Sequence, residues 1–168
     1  MIKESIQQLL VRDLRKLRQE IAAYEDESVL WQTIKGISNS GGNLCLHLIG
    51  NLNTYIGKTL GGTGYIRNRE QEFSQKNIPK TVLLEEIDKI IVIIDETFDL
   101  LTDEVLAKNY PDNVLGEPMS THQFLIHLVG HLDYHLGQIN YHRRILSAIK
   151  SQVENFIQMK SNTQPGKS

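Results

Sequence analysis

The chain has 168 residues, 40% of them apolar and 23% charged, with a formal net charge of −2 and one cysteine. That length suits a single soluble domain with a real core, and the charge excludes the concentrated basic face that a nucleic-acid partner requires. One cysteine excludes an internal disulfide and fits a reducing, cytoplasmic setting.

The first predicted helix runs from about Ile2 to Tyr24, where Ile6, Leu9, Leu10, Leu14, Leu17 and Ile21 form a stripe of period 3.6. Its opening, MIKESIQQLLVRD, lacks the apolar stretch of a secretory signal. The basic run from Arg12 to Arg18 reads as the wet side of that helix. A polar linker holding Trp31, Ile34 and Ile37 follows. The cluster Ser38-Asn39-Ser40-Gly41-Gly42 breaks the chain and supplies capping groups for a second helix. That helix carries Leu44, Leu48, Leu52, Tyr55 and Ile56, and stops at Gly61-Gly62. Residues 61–79 then read as one long loop, and loops of that length are often functional.

A third helix, capped by Thr81, is expected to reach about Leu106 through Leu84, Ile87, Ile91, Ile94, Phe98 and Leu101. Its densest apolar run, Ile90 to Ile94, is far too short to span a bilayer, so no membrane association is expected. After a connection with Pro111, Gly116 and Pro118, Ser120 or Thr121 opens a fourth helix that extends to about Phe156. Residues 1–160 are read as one all-α domain and residues 161–168 as a disordered polar tail. Four amphipathic helices pack most simply as a four-helix bundle.

Three histidines stand out against this frame. His131 and His135 lie four apart in HLDYHLGQI, so they share one helix face and can reach one cation. At about 100° per residue, His135 falls about 20° from Leu128 and His131 about 60° from it, inside the apolar stripe. Asp133 points to solvent. Buried imidazoles need partners, and a metal satisfies one nitrogen of each ring while the other donates to an outer acceptor. His47, in NLCLHLIGNL, lies beside the buried stripe of the second helix. Three imidazoles from two helices would make a metal site with open coordination positions, as in catalytic centres.

Asn51, His127 and Gln138 are the candidate ligand-supporting or substrate-orienting groups; for His127 a fourth ligand is a further role, and a rim hydrogen bond is the favoured one. His142, two turns beyond His135, is read as structural, His122 as exposed and Cys45 as an inert packing residue. There is no H-E-x-x-H, because position 132 is Leu, and no Glu-x-x-His, so neither zincin nor di-iron chemistry is encoded.

The segment His131-Leu-Asp-Tyr-His135-Leu-Gly-Gln138-Ile139 resembles the closing H-x-x-x-H-x-G-Q-I signature of the DinB-like superfamily of bacterial four-helix metal-binding proteins. Gly42-Asn-Leu-Cys-Leu-His47-Leu-Ile-Gly-Asn51 and Arg67-Asn-Arg-Glu-Gln-Glu72-Phe73 resemble further motifs of one branch of it. The resemblance implies an up-down-down-up four-helix bundle, with His47, His131 and His135 holding a divalent ion, commonly nickel or zinc. It also implies a homodimer through bundle helices, and a metal-dependent enzyme acting on a small-molecule substrate. Thiol transfer with a low-molecular-weight thiol such as bacillithiol and hydrolysis are the two reactions in view. A non-catalytic metal-binding stress-response or interaction module is the alternative, and a bundle whose histidines bond only each other and water is a third reading. Imidazole ligands suit Zn, Ni, Fe and Cu alike. The Arg67–Phe73 loop either covers the pocket, with its arginines on an anionic substrate, or carries solvated surface charge.

Overall fold

Apolar spacing decides where the long helices form. A computed structural model describes residues 2–162, and the expected disordered tail lies outside the described residues from position 163 onward. The chain forms α1 (Ile2–Ala22), α2 (Glu27–Leu30), α3 (Gly41–Leu52), α4 (Arg69–Ser74), α5 (Lys80–Leu100), α6 (Asp103–Ala107) and α7 (Thr121–Asn162). One turn of π-helix, Asn53–Lys58, continues α3. Among the described residues there is no strand, only an isolated bridge between Asn109 and Ser120. The fold class is all-α, as the sequence implies. The four long helices enclose the core: α1 packs on α5 and α7, and α3 packs on the same two helices.

Several boundaries differ from expectation. The polar linker after α1 contains α2, capped by Asp26, and seals the core with Leu30 and Trp31. The long loop after α3 contains α4, capped by Asn68. Thr81 does not cap α5; the chain enters that helix at Pro79, with no side-chain cap. The third helix does not reach Leu106. It ends at Leu100, because the Thr102 side chain accepts from the Val105 amide and starts α6. Such a hydroxyl cap competes with helix continuation by satisfying the orphan amides of a new first turn.

The core face of α5 keeps Ile87, Ile94, Phe98 and Leu101 of the expected stripe and takes Leu83 and Ile90 beside them. Leu83 and Ile90 are fully buried, whereas Leu84 and Ile91 are only partly so. In α1, Leu9 is half-buried while Leu10 is fully enclosed. The Arg12 and Lys16 side chains are half exposed, as a wet face requires, yet both reach the fully buried Asp13, at 2.8 and 3.2 Å. Burial raises the Asp13 pKa, and its bonds to Arg12 and Lys16 outweigh that, so it falls below the usual carboxylate range.

His142 is structural in the literal sense. Its Nδ1 lies 2.7 Å from the Tyr24 hydroxyl and its Nε2 2.9 Å from the Gln32 carbonyl, tying α7 to the end of α1 and to the segment after α2. Burial holds its pKa below the ordinary histidine value, although the Gln32 bond opposes the shift. Cys45 is fully buried, and that burial drives its thiol pKa well up, which leaves an inert packing group. His122 is half-buried rather than exposed, with Nδ1 3.3 Å from the Leu106 carbonyl. The short α6 rises to meet the start of α7 there.

Candidate metal centre

α3 and α7 carry the three histidines to one point. Ser40 begins α3 by accepting from the Asn43 amide at 3.2 Å, which fixes the phase of the helix and turns His47 inward. The residues of α7 that bury Leu128, Leu132 and Ile139 put His131 and His135 at the edge of the same interior. One nitrogen from each of His47, His131 and His135 lies within 4.8 Å of the other two. His47 is buried and the other pair half-buried.

Two of the three rings are turned by what holds their far side. His47 Nδ1 donates to Glu72 Oε2 at 2.9 Å. His135 Nδ1 donates to Gln138 Oε1 at 2.7 Å. Both assignments leave Nε2 unprotonated and directed inward. His47 Nε2 and His131 Nε2 stand 3.3 Å apart. Two imidazoles bound at about 2.0–2.1 Å to a tetrahedral ion would show a separation of about 3.3 Å, so the pair is spaced for a shared cation.

Electrostatics favours the neutral form of the two α7 rings. Burial, helped by the neighbouring His135, His47 and His127, lowers the His131 pKa to about 4. Burial also lowers that of His135, against the Gln138 bond. A neutral imidazole is the form that binds metal. His131 Nδ1 and Asn51 Oδ1 are buried with no hydrogen-bond partner in the described structure. A ring ligating through Nε2 carries its proton on Nδ1, as a donor. The donor set, its spacing and its protonation therefore fit a divalent ion.

Glu72 is the residue whose role the sequence did not disclose. It is buried, 25 positions from His47, and Arg67 clamps it through Nε to Oε1 at 2.7 Å and through its second nitrogen to Oε2 at 2.9 Å. Burial pushes the Glu72 pKa up; the bonds from His47 and Arg67 overcome that and leave it lowered. The Arg67 side chain is only 15% exposed, so it is neither solvated surface charge nor free for an anionic substrate.

Asn43 holds the loop in place by donating to the Glu72 and Gln75 carbonyls, both at 2.9 Å. Its own carbonyl oxygen accepts from Ser40 and Lys76. Phe73 covers His47 at a centroid distance of 5.1 Å. Gly50 makes the approach possible, because a Cβ there would lie 2.2 Å from Glu72 Oε1. The sequence signals for this arrangement were the charge pair five apart in Arg67-Asn-Arg-Glu-Gln-Glu72, beside a capping asparagine, and the likeness of that segment to a DinB-like motif.

The other candidates divide. Gln138 touches His135 directly. Asn51 is buried on α3, one turn beyond His47. His127 is exposed and stacks on Phe124, with its ring 6.2 Å from that of His131. One turn from the histidines along both helices, Leu44 and Gln138 line a cavity of about 320 Å³ together with Ser38, Asn39 and Tyr141.

A family model described as "Protein of unknown function (DUF1572)" matches residues 2–158. The chain belongs to the DUF1572 family. Its fold is DinB-like, as solved structures show. A DinB-like protein from Bacillus cereus ATCC 10987 superposes with a TM-score of 0.67 at 16% identity, over 86% of this chain and 92% of that one. A conserved protein from Enterococcus faecalis gives a TM-score of 0.69 at 14% identity, over 86% and 96%. Among curated proteins no sequence matches. No helix among the described residues is long and apolar enough to cross a membrane.

Proposed function

We propose that this DUF1572 chain binds a divalent metal ion through His47, His131 and His135, and acts as a metal-dependent enzyme on a small-molecule substrate. The observation that carries the reading is the meeting of three imidazoles from α3 and α7, two of them turned by outer acceptors. A divalent ion there supplies undiminished positive charge, which lowers the pKa of a bound water or thiol and stabilises the resulting anion.

The chain's own groups do the rest. Glu72 takes the His47 Nδ1 proton as a hydrogen-bond acceptor, fixes the ring plane and raises its basicity. Arg67 keeps that carboxylate ionised in a buried position. Gln138 does the same orienting work for His135 without charge. Asn51 offers a buried, unpartnered carbonyl oxygen one turn beyond His47 on α3. Gln138 also lines the neighbouring cavity, whose walls carry neutral polar and aromatic groups and fit the non-reacting part of a small substrate. Nickel and zinc are the metals in view, and transfer of a low-molecular-weight thiol such as bacillithiol, or hydrolysis, is the reaction class.

Elemental analysis of untagged protein tests the reading. The expected result is close to one equivalent of nickel or zinc, falling at least tenfold in His131→Ala. Unchanged metal content in that variant would remove His131 from the site. A thiol-transfer and ester-hydrolysis screen on the loaded protein then tests for turnover.

A further inference from the structure

Asn43 lies one turn before His47 on α3, so the two side chains share a face. It is buried, with 1% of its surface exposed. An amide side chain offers two N–H donors and a carbonyl oxygen with two lone pairs. In Asn43 all of them are used. Nδ2 donates to the Glu72 and Gln75 carbonyls, both at 2.9 Å. Oδ1 accepts from the Ser40 hydroxyl at 2.7 Å and from the Lys76 ammonium. Carbonyls only accept and an ammonium only donates, so a flipped amide would lose three of these four bonds.

Capping of α3 does not account for this arrangement. Asn43 serves that helix through its backbone amide, which donates to the Ser40 hydroxyl at 3.2 Å. The two Nδ2 bonds leave α3 and end 29 and 32 positions away, where α4 stops. The last carbonyls of a helix have no partner within it. Around this end, the Gln71 carbonyl takes the Gln75 amide and the Glu70 carbonyl takes the Ser74 hydroxyl. The Glu72 and Gln75 carbonyls are left to Asn43, so a side chain of one helix caps the end of another. Glu72 is thereby held twice by α3: its main chain by Asn43 and its carboxylate by His47, each at 2.9 Å.

We propose that Asn43 is a positioning residue for the metal centre: by seating residues 72–75 against α3 it holds Glu72 on His47, and so sets how tightly the site binds its ion. This role presupposes the three-histidine site proposed above. Loss of an outer partner such as Glu72 is worth about 10- to 100-fold in metal affinity, and loosening its seat takes part of that. The coupling is reciprocal, so a bound ion must in turn hold the segment closed.

Zinc affinity of the untagged full chain, measured by competition with a chromophoric chelator, tests the proposal on two variants. Asn43→Leu removes all four bonds; Asn43→Asp keeps the acceptor and removes the two donors. Affinity should fall about tenfold in both. In a Glu72→Gln background the same substitutions should cost less than about twofold, because the residue they act through is gone. Thr102→Ala, which removes the α6 cap, lowers stability and should leave zinc affinity unchanged. Unchanged affinity in either folded Asn43 variant overturns the proposal. So do equal losses with and without the Glu72 carboxylate, the mark of a merely structural asparagine. Hydrogen exchange of the wild type tests the same coupling without a variant. Zinc should slow exchange of the Glu72 and Gln75 amides several-fold more than that of the Leu106 amide in α6; equal slowing overturns the proposal. A wild type that takes up no zinc or nickel fails the metal reading itself, and the affinity role falls with it.

Discussion

At the scale of single residues, the candidate metal centre depends on groups that never touch the cation position. Glu72 is tied to His47 at 2.9 Å and to Arg67 by two bonds. Glu72→Gln keeps the shape, removes the charge and leaves a largely buried guanidinium beside an imidazole. Loss of such an outer partner lowers metal affinity about 10- to 100-fold, measurable by competition with a chromophoric chelator. The same titration should show a smaller loss for Gln138→Ala, where no charge is removed. Gly50→Ala places a methyl group 2.2 Å from the Glu72 carboxylate. The carboxylate must move, and overpacking of that kind costs about 1–3 kcal/mol; urea denaturation should show it together with weaker metal binding. The histidines were legible because each sits at a helical phase. Glu72 was not, because its partner lies 25 residues away and only the return of the loop brings them together.

At the scale of elements, α3 and the loop carrying α4 form one unit. Ser40 caps α3, and Asn43, one turn later, bonds two carbonyls around α4. Ser40→Ala should cost about 1 kcal/mol, read as a lower denaturation midpoint with unchanged slope. The helices were legible where apolar spacing was strong, as in α1 and α7. Boundaries were missed where a short polar residue competes with the helix. Thr102 ends the run toward Leu106 by starting α6, and Asn68 starts α4 inside an apparent loop. The offset between Leu83 and Leu84 has another cause. Apolar residues stand at 83, 84, 87, 90, 91 and 94, so two phases satisfy the pattern, and packing on α1 and α3 selects one.

At the scale of the molecule, protons and metal act on the same equilibrium. His131, His135 and His142 all have folded-state pKa values below the ordinary 6.5, His131 at about 4. As pH falls below 6.5, the unfolded chain binds protons that the folded chain resists. Stability is therefore full above that value and declines toward pH 4. The lowered carboxylates Glu20 and Glu72 add a further loss in stronger acid. Metal-free protein should show this decline in its thermal midpoint between pH 7 and 4. A divalent ion at 100 times its dissociation constant should raise stability by about 2.7 kcal/mol at neutral pH, and the increment should shrink as acid competes for the imidazoles.

The sequence by itself determined the class of fold and the identity of the histidines that share a face, because helical periodicity is a local property carried by neighbouring side chains. It also carried the motifs by which the DinB-like likeness is read. The tertiary structure alone decided that α3 and α7 lie side by side so that His47 meets His131, that Glu72 turns the His47 ring, and that α7 is exposed from 147 to 161. Those outcomes depend on which helix packs against which, and pairings between distant segments are fixed by the packing of the whole core, not by any spacing along the chain.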